Sequence, residues 1–123
     1  MRILADTHVV LWWLADDPAL PAALRAAVAD SRNDVRVSAV SVAEISIKAS
    51  LGKLEAPDDL VETLATEGFE TLAFTAEHAA TLRHLPWHHR DPFDRMLVAQ
   101  ALSDGLVLAT VDRRLSDYGV PLL

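Results

Sequence analysis

The chain has no cysteine and only four glycines among its 123 residues. The absence of cysteine excludes disulfides, thiolate zinc sites and cysteine nucleophiles, and it is consistent with a reducing cytoplasm. No apolar run is longer than Val9 to Ala15, which is far short of the ~20 residues that a membrane-spanning helix needs. The first residues also lack the basic and apolar regions of an export signal. We therefore expect a cytoplasmic protein without a membrane anchor.

Basic residues are scarce as well. Eleven Lys and Arg stand against 18 Asp and Glu, which gives a formal net charge of −7 at pH 7. Such a chain lacks the broad basic surface on which charge-driven binding of nucleic acid depends. What the chain does have is apolar content, because 51% of its residues are hydrophobic. We expect residues 1–123 to fold as a single domain around a core of their own.

Short apolar stretches alternate with amphipathic ones along the chain. Strands are predicted at Arg2–Ala5, Val35–Val40, Thr71–Phe74, Leu106–Thr110 and Val120–Leu123. Helices are predicted to begin near His8, Leu20, Ser41, Pro57, Ala76 and Asp91. Strands that are joined through helices usually run parallel, because the chain must cross over before the next strand begins. The sequence thus predicts an α/β fold whose mostly parallel sheet has four to five strands and helices on both faces.

Four carboxylates come either at the end of a predicted strand or in the first turn of a predicted helix. These residues are Asp6, Glu44, Asp94 and Asp112. Ligand sites of open parallel sheets lie at the carboxyl ends of the strands, so all four can converge there. Converging carboxylates repel each other unless a cation neutralises them, and oxygen ligands suit Mg²⁺ or Mn²⁺ rather than zinc. A metal pair held there could activate a water for attack on a phosphodiester.

Each acid also has a purely structural interpretation. Ser41 to Glu44 has the spacing of a capping box, in which Glu44 would only satisfy a backbone donor. Asp91 has the position of a helix N-cap, and Asp94 would then be a second favourable charge in the first turn. Asp112 could simply begin a turn. We favour a shared site for the four acids, because all of them fall at the same sheet edge, and a capping role for Asp91.

Several motifs together resemble the PIN-domain ribonucleases, and in particular the VapC-type toxins of bacterial toxin–antitoxin pairs. The motifs are Asp6-Thr7, Trp12-Trp13, Val42-Ala43-Glu44-Ile45, Gly52-Lys53-Leu54, His89-Arg90-Asp91-Pro92-Phe93-Asp94, Asp94 to Ala101, and Thr110-Val111-Asp112. The resemblance covers essentially the whole chain and implies a three-layer α/β/α PIN-like fold. It also implies Mg²⁺- or Mn²⁺-dependent cleavage of RNA, neutralisation by a cognate antitoxin protein, and commonly a homodimer.

The resemblance also implies roles for individual residues. The four acids match the catalytic, metal-holding quartet of the family, in which Asp6 and Asp94 would dominate metal binding. Thr7 and Thr110 match polar residues that support the metal shell. Asp112 matches the least constant of the four acids.

An acidic chain that binds RNA needs positive charge near its site. Arg90, Arg95 and Arg113 flank the third and fourth acids and are candidate RNA contacts. The histidines of this region are His84, His88 and His89. Their protonation below neutral pH would strengthen phosphate binding. The alternative is a solvated loop whose arginines pair with nearby carboxylates, and both interpretations stay open at this point.

The segment from Val9 to Leu14 is apolar nearly all around and contains two adjacent tryptophans. A short helix buried in the core is the default interpretation. Adjacent side chains of a helix point in different directions, so at least one of Trp12 and Trp13 should face outward. Aromatic anchors of this kind concentrate binding energy at interfaces. The pair is therefore a candidate contact for an antitoxin or for a second copy of the chain.

Other protein classes with an acidic pocket fit less well. A phosphoacceptor receiver domain needs a lysine after a late strand, but the only lysines are Lys48 and Lys53. A phosphatase of the haloacid-dehalogenase type would have an aspartate two positions after Asp6, where this chain has His8. We predict a metal-dependent endoribonuclease toxin, and keep a non-catalytic PIN-like or receiver-like Mg²⁺-binding module as the alternative.

Overall fold

Four parallel strands form the centre of the computed structural model, which describes residues 1–123. The strands are β1 (Arg2–Ala5), β2 (Asp34–Ser38), β3 (Glu70–Leu72) and β4 (Val107–Ala109). They lie in the order β3-β2-β1-β4, and all three pairings are parallel. Ala5 lies opposite Val37 on one side and Ala109 on the other. The carboxyl ends of the strands therefore meet at one edge of the sheet.

Helices connect the strands and cover both faces of the sheet. They are α1 (Thr7–Leu14), α2 (Ala22–Ala29), α3 (Ala39–Ser50), α4 (Leu60–Thr66), α5 (Ala76–Thr81) and α6 (Pro92–Asp104). Two short 3-10 helices lie at Leu82–His84 and Arg113–Tyr118. None of these helices combines the length and the apolar character that crossing a membrane requires.

The core consists of two apolar clusters, one on each face of the sheet. Successive side chains of a strand point to opposite faces. Ile3 and Ala5 accordingly join one cluster with Leu64 of α4, and Leu4 joins the other with Val98 of α6. Because β1 is buried from both sides, it is apolar throughout apart from its first residue. The three-layer α/β/α architecture predicted from the sequence is confirmed.

Helix α3 begins earlier than the sequence analysis predicted. The Ser38 hydroxyl accepts the backbone N–H of Val40 at 3.0 Å, so Ser38 is the N-cap and the helix begins at Ala39 rather than Ser41. Glu44 consequently lies in the second turn and not in the first. The capping-box interpretation of Glu44 is therefore wrong, because Ser41 lies inside the helix.

The predicted fifth strand at Val120–Leu123 is reduced to a single parallel bridge between Leu108 and Leu122. The backbone N–H of Leu108 donates to the carbonyl of Pro121, and Leu123 donates back to the carbonyl of Leu108. Pro121 has no N–H of its own to extend the ladder. The sheet therefore has four strands.

Candidate active site

Asp6 occupies the carboxyl end of β1, where it is the N-cap of α1. Its carboxylate accepts the backbone N–H of Val9 at 3.0 Å. The residue is only 6% exposed. Burial raises the pKa of Asp6 above its ordinary value, while hydrogen bonds from the Thr110 side chain and the Val9 amide act in the opposite direction. The negative charge of Glu44 raises the pKa of Asp6 further. A second carboxylate therefore lies near Asp6.

Glu44 reaches this pocket from the second turn of α3. It is 4% exposed, and its two carboxylate oxygens are both engaged. One accepts the Thr7 hydroxyl at 2.6 Å, and the other accepts the Lys48 ammonium at 2.6 Å. The pKa of Lys48 is raised chiefly by this hydrogen bond. Lys48 lies one helical turn after Glu44, so α3 supplies both the buried charge and its counter-charge.

Thr7 and Thr110, the two predicted supporting residues, are both buried at the site. Thr7 holds Glu44, and its hydroxyl oxygen lies 3.0 Å from that of Ser41. Thr110 accepts the backbone N–H of Asp112 at 3.1 Å, and its side chain lowers the pKa of Asp6. The two threonines therefore orient carboxylates that arrive from different elements.

Asp94 enters from the first turn of α6. Asp91 is the N-cap of this helix, since its carboxylate accepts the backbone N–H groups of Phe93 at 2.8 Å and of Asp94 at 3.1 Å. Burial raises the pKa of Asp94 to about 6, and the negative charges of Asp91, Asp6 and Glu44 contribute to the rise. Asp6 and Glu44 thus lie close enough to Asp94 to disfavour its charge.

Asp112 follows β4 and is held differently from the other three acids. Its carboxylate accepts two hydrogen bonds from the Arg114 guanidinium, at 2.7 and 2.9 Å, and a third from the Arg114 backbone N–H. These contacts lower the pKa of Asp112 to about 2, with the guanidinium hydrogen bond as the largest cause. Asp112 therefore carries its own neutralising arginine, as the alternative in which arginines of this region pair with nearby carboxylates predicted.

His89 joins the third and fourth acids. Its Nε2 lies 3.2 Å from a carboxylate oxygen of Asp112 and 3.7 Å from one of Asp94. Its Nδ1 accepts the backbone N–H of Asp91 at 3.1 Å, so the proton of the neutral ring is on Nε2 and faces the carboxylates. In this arrangement His89 is a hydrogen-bond donor to Asp112, and Asp94 lies beyond hydrogen-bond distance. The sequence predicted a phosphate contact for His89 and not a contact with the acids. The motif that runs from His89 to Asp94 was the signal that could have indicated a contact with the acids.

Arg90 lines an open cleft of about 360 Å³ beside the acids. The lining consists of Trp87, His88, His89, Arg90, Asp91 and Arg114. Arg113 is also exposed, but its guanidinium donates to the backbone carbonyl of Leu123 at 3.0 Å and it does not line this cleft. Of the three predicted RNA contacts, Arg90 is therefore the one that faces the cleft.

Arg95 lies in the interior, which contradicts its predicted contact with RNA. It is 4% exposed, and its guanidinium donates to the carbonyls of Pro86 at 2.7 Å and Leu85 at 3.1 Å. A further hydrogen bond reaches the Tyr118 hydroxyl at 3.2 Å, and the guanidinium carbon lies 3.7 Å from the centre of the Trp87 ring. A side chain held in this way anchors the segment around residue 86 to the rest of the fold.

Trp12 and Trp13 are both half-buried, and both pack against the apolar cluster that contains Ile3, Ala5 and Leu64. The Trp13 ring meets Phe69 edge to face at 6.3 Å, and its Nε1 donates to Glu67 at 3.2 Å. The Trp12 ring lies 5.7 Å from that of His8. Trp13 is therefore tied to the fold by more contacts than Trp12.

The donor set of this pocket fits a hard divalent cation. The ligand atoms of His89, Asp94 and Asp112 lie within 4.8 Å of one another, and Asp6 and Glu44 are near enough to raise the pKa of Asp94. Oxygen donors with a net negative charge are what Mg²⁺ and Mn²⁺ prefer. Binding such an ion would remove the mutual repulsion that raises the pKa of Asp94.

Comparison with known proteins places this arrangement in a family. A family model described as PIN domain matches residues 3–121. The chain is 31% identical over 122 residues to Ribonuclease VapC22 of Mycobacterium tuberculosis, covering 97% of this chain and 93% of that protein. Its fold resembles VapBC2 of Rickettsia felis bound to a promoter DNA fragment (TM-score 0.72, 14% identity, covering 100% and 98% of the two chains). It also resembles VapBC-1 of nontypeable Haemophilus influenzae (TM-score 0.67, 19% identity, covering 100% and 97%). The chain belongs to the PIN-domain family.

Proposed function

We propose that this protein is a metal-dependent endoribonuclease that acts as the toxin of a toxin–antitoxin pair in the cytoplasm. The observation that carries the proposal is the group of buried or half-buried carboxylates at one sheet edge, in which the charge of Glu44 raises the pKa of Asp6, and the charges of Asp6 and Glu44 raise the pKa of Asp94. Family membership and the likeness to a protein named as a ribonuclease support it.

The four acids Asp6, Glu44, Asp94 and Asp112 would hold Mg²⁺ or Mn²⁺, supported by the hydroxyls of the two buried threonines. An ion held there would lower the pKa of a bound water and would stabilise the negative charge that develops on a scissile phosphate. Glu44 keeps its bonds to Thr7 and Lys48, so its part is to contribute charge at a fixed position.

The remaining polar groups at the edge of the pocket would position the RNA. The Arg114 guanidinium hydrogen-bonds to Asp112, and the Nε2–H of His89 faces Asp94 and Asp112. Arg90 lines the adjoining cleft, and Arg113 lies just beyond Asp112 on the exposed surface. Donors at this border attract backbone phosphates toward the acids although the whole chain is acidic.

Removal of the metal tests this proposal directly. Purified protein is expected to cleave a defined structured RNA with Mg²⁺ or Mn²⁺, to stop when EDTA is added, and to recover with excess Mg²⁺. The measurement is the initial rate of product formation on a denaturing gel. A Glu44→Gln protein purified in parallel should give only the background rate, which excludes a contaminating nuclease.

Two outcomes would contradict the proposal. Cleavage that continues at the same rate in EDTA would exclude the metal mechanism. Binding of Mg²⁺ without cleavage of any RNA offered would favour the non-catalytic PIN-like module instead.

We further propose that a cognate antitoxin covers the exposed side of Trp12, and that the protein also forms a homodimer. Trp12→Ala is expected to weaken antitoxin binding by at least about tenfold without loss of folding, because an aromatic anchor is removed.

Trp13→Ala should mainly lower thermal stability, since Trp13 packs on Phe69 and bonds to Glu67. Calorimetry with the protein encoded beside this gene measures the affinity, and sedimentation of each variant reports the dimer. Unchanged affinity in both variants would contradict the contact.

A further inference from the structure

Trp87 exposes more of its surface than any other large apolar side chain of the protein. It is 78% exposed, while Leu51, the next most exposed, is 62% exposed. The residue lies in the loop between the 3-10 helix Leu82–His84 and α6. Large exposed aromatic rings on a folded domain are typical of binding surfaces.

The Trp87 ring is nevertheless held in place from one side. The buried guanidinium of Arg95 lies 3.7 Å from the ring centre in a cation–π contact. That guanidinium is itself fixed by hydrogen bonds to Leu85, Pro86 and Tyr118. Since one face of the ring rests on Arg95 and most of its surface is exposed, the opposite face is open to a ligand.

Trp87 also lines the cleft that adjoins the acids. Arg90, Arg114 and His88 line this cleft together with Trp87. His89, in the same lining, reaches Asp112 at 3.2 Å and Asp94 at 3.7 Å. An aromatic face for a base beside cations for the backbone phosphates is the combination with which proteins bind single-stranded nucleic acid.

We propose that Trp87 is a stacking platform that positions an unpaired base of the RNA beside the acids. The inference rests on the proposed ribonuclease function. A base inside a duplex is already stacked on both sides, so only an unpaired or splayed base can lie on the ring. The platform would thereby select the strand whose neighbouring phosphate reaches the acids.

The test compares RNA affinities in an Asp94→Asn background with Mg²⁺ present, so that the oligonucleotide is not cleaved. The probes are an unstructured RNA 12-mer and the same sequence in a duplex. Trp87→Ala is expected to weaken binding of the single strand by about 5- to 150-fold. Trp87→Phe should retain most of the affinity, and binding of the duplex should be weak and unaffected. Val61→Ala, another exposed apolar residue, is the matched control and should change nothing.

Unchanged single-strand affinity in folded Trp87→Ala, checked by circular dichroism, would overturn the inference. So would a loss of antitoxin binding or of dimerisation in that variant with RNA binding intact, because Trp87 would then be a protein contact. The two proposals fail separately. If the protein with all four acids cleaves no RNA but Trp87→Ala still loses affinity for the single strand, the ribonuclease proposal fails and the stacking site remains.

Discussion

Replacing Asp94 with asparagine is expected to lower the rate of RNA cleavage by about a hundred- to a thousandfold. Asp94 lies between the buried acids and the cleft, and its carboxylate is the one whose charge the others most disfavour without a cation. Asparagine keeps the shape of the side chain but removes the charge that would hold the ion. The measurement is the initial cleavage rate of both proteins at one fixed Mg²⁺ concentration, the lowest that saturates the wild type.

The same substitution is expected to stabilise the metal-free protein at alkaline pH. The pKa of Asp94 is raised from 3.8 to about 6 by burial and neighbouring charge. The folded state therefore binds the proton more tightly than the unfolded chain, so this group favours folding as the pH falls from about 7 to about 4. The difference of about two units corresponds to at most about 3 kcal/mol of unfolding free energy. Metal-free Asp94→Asn should exceed the wild type in Tm at pH 8 and equal it near pH 4.

The matched control is Asp117→Asn, because Asp117 is an exposed acid on the 3-10 helix Arg113–Tyr118. This variant should keep both the cleavage rate and the pH dependence of Tm. Added Mg²⁺ should raise the Tm of the wild type at pH 8 more than at pH 5, and should have little effect on Asp94→Asn. Full cleavage by Asp94→Asn would contradict the proposed role of this residue.

Arg95→Met is expected to lower the unfolding free energy by about 2–4 kcal/mol. Methionine keeps an apolar stem but removes the hydrogen bonds to the carbonyls of Leu85 and Pro86 and the contact beneath Trp87. Those carbonyls would then lack their partner. Urea denaturation monitored by circular dichroism measures the change. Cleavage should fall as well, because the segment that carries His89 would lose its anchor.

Arg90→Met supplies the comparison for this prediction. Arg90 is exposed on the cleft, so its replacement should change stability by less than about 0.5 kcal/mol. It should instead weaken RNA binding and make that binding less dependent on salt. Equal stability of Arg95→Met and wild type, or equal destabilisation by the two variants, would contradict the assignment of one arginine to the interior and the other to the cleft.

Much of the fold could be predicted from local patterns. The extent of β1 follows from its continuous apolar run, and the beginning of α6 follows from Asp91-Pro92, where a capping carboxylate precedes a proline in its tolerated position. The beginning of α3 could not be predicted in this way, because Ser38 and Ser41 are both good N-caps. Packing of the buried Val40 decided between them.

The sequence by itself placed Asp6 and Asp112 at one edge, because both follow parallel strands, which end on the same side of the sheet. It did not determine the partner of each acid. The ion pair between Lys48 and Glu44 lies within one helix and could be predicted from their spacing. The contacts of His89 with Asp94 and Asp112 could not, because they join segments that are far apart in the chain. Only the tertiary structure decided that Arg95 is buried. The carbonyls of Leu85 and Pro86, which accept its hydrogen bonds, belong to a loop whose sequence has no periodic pattern.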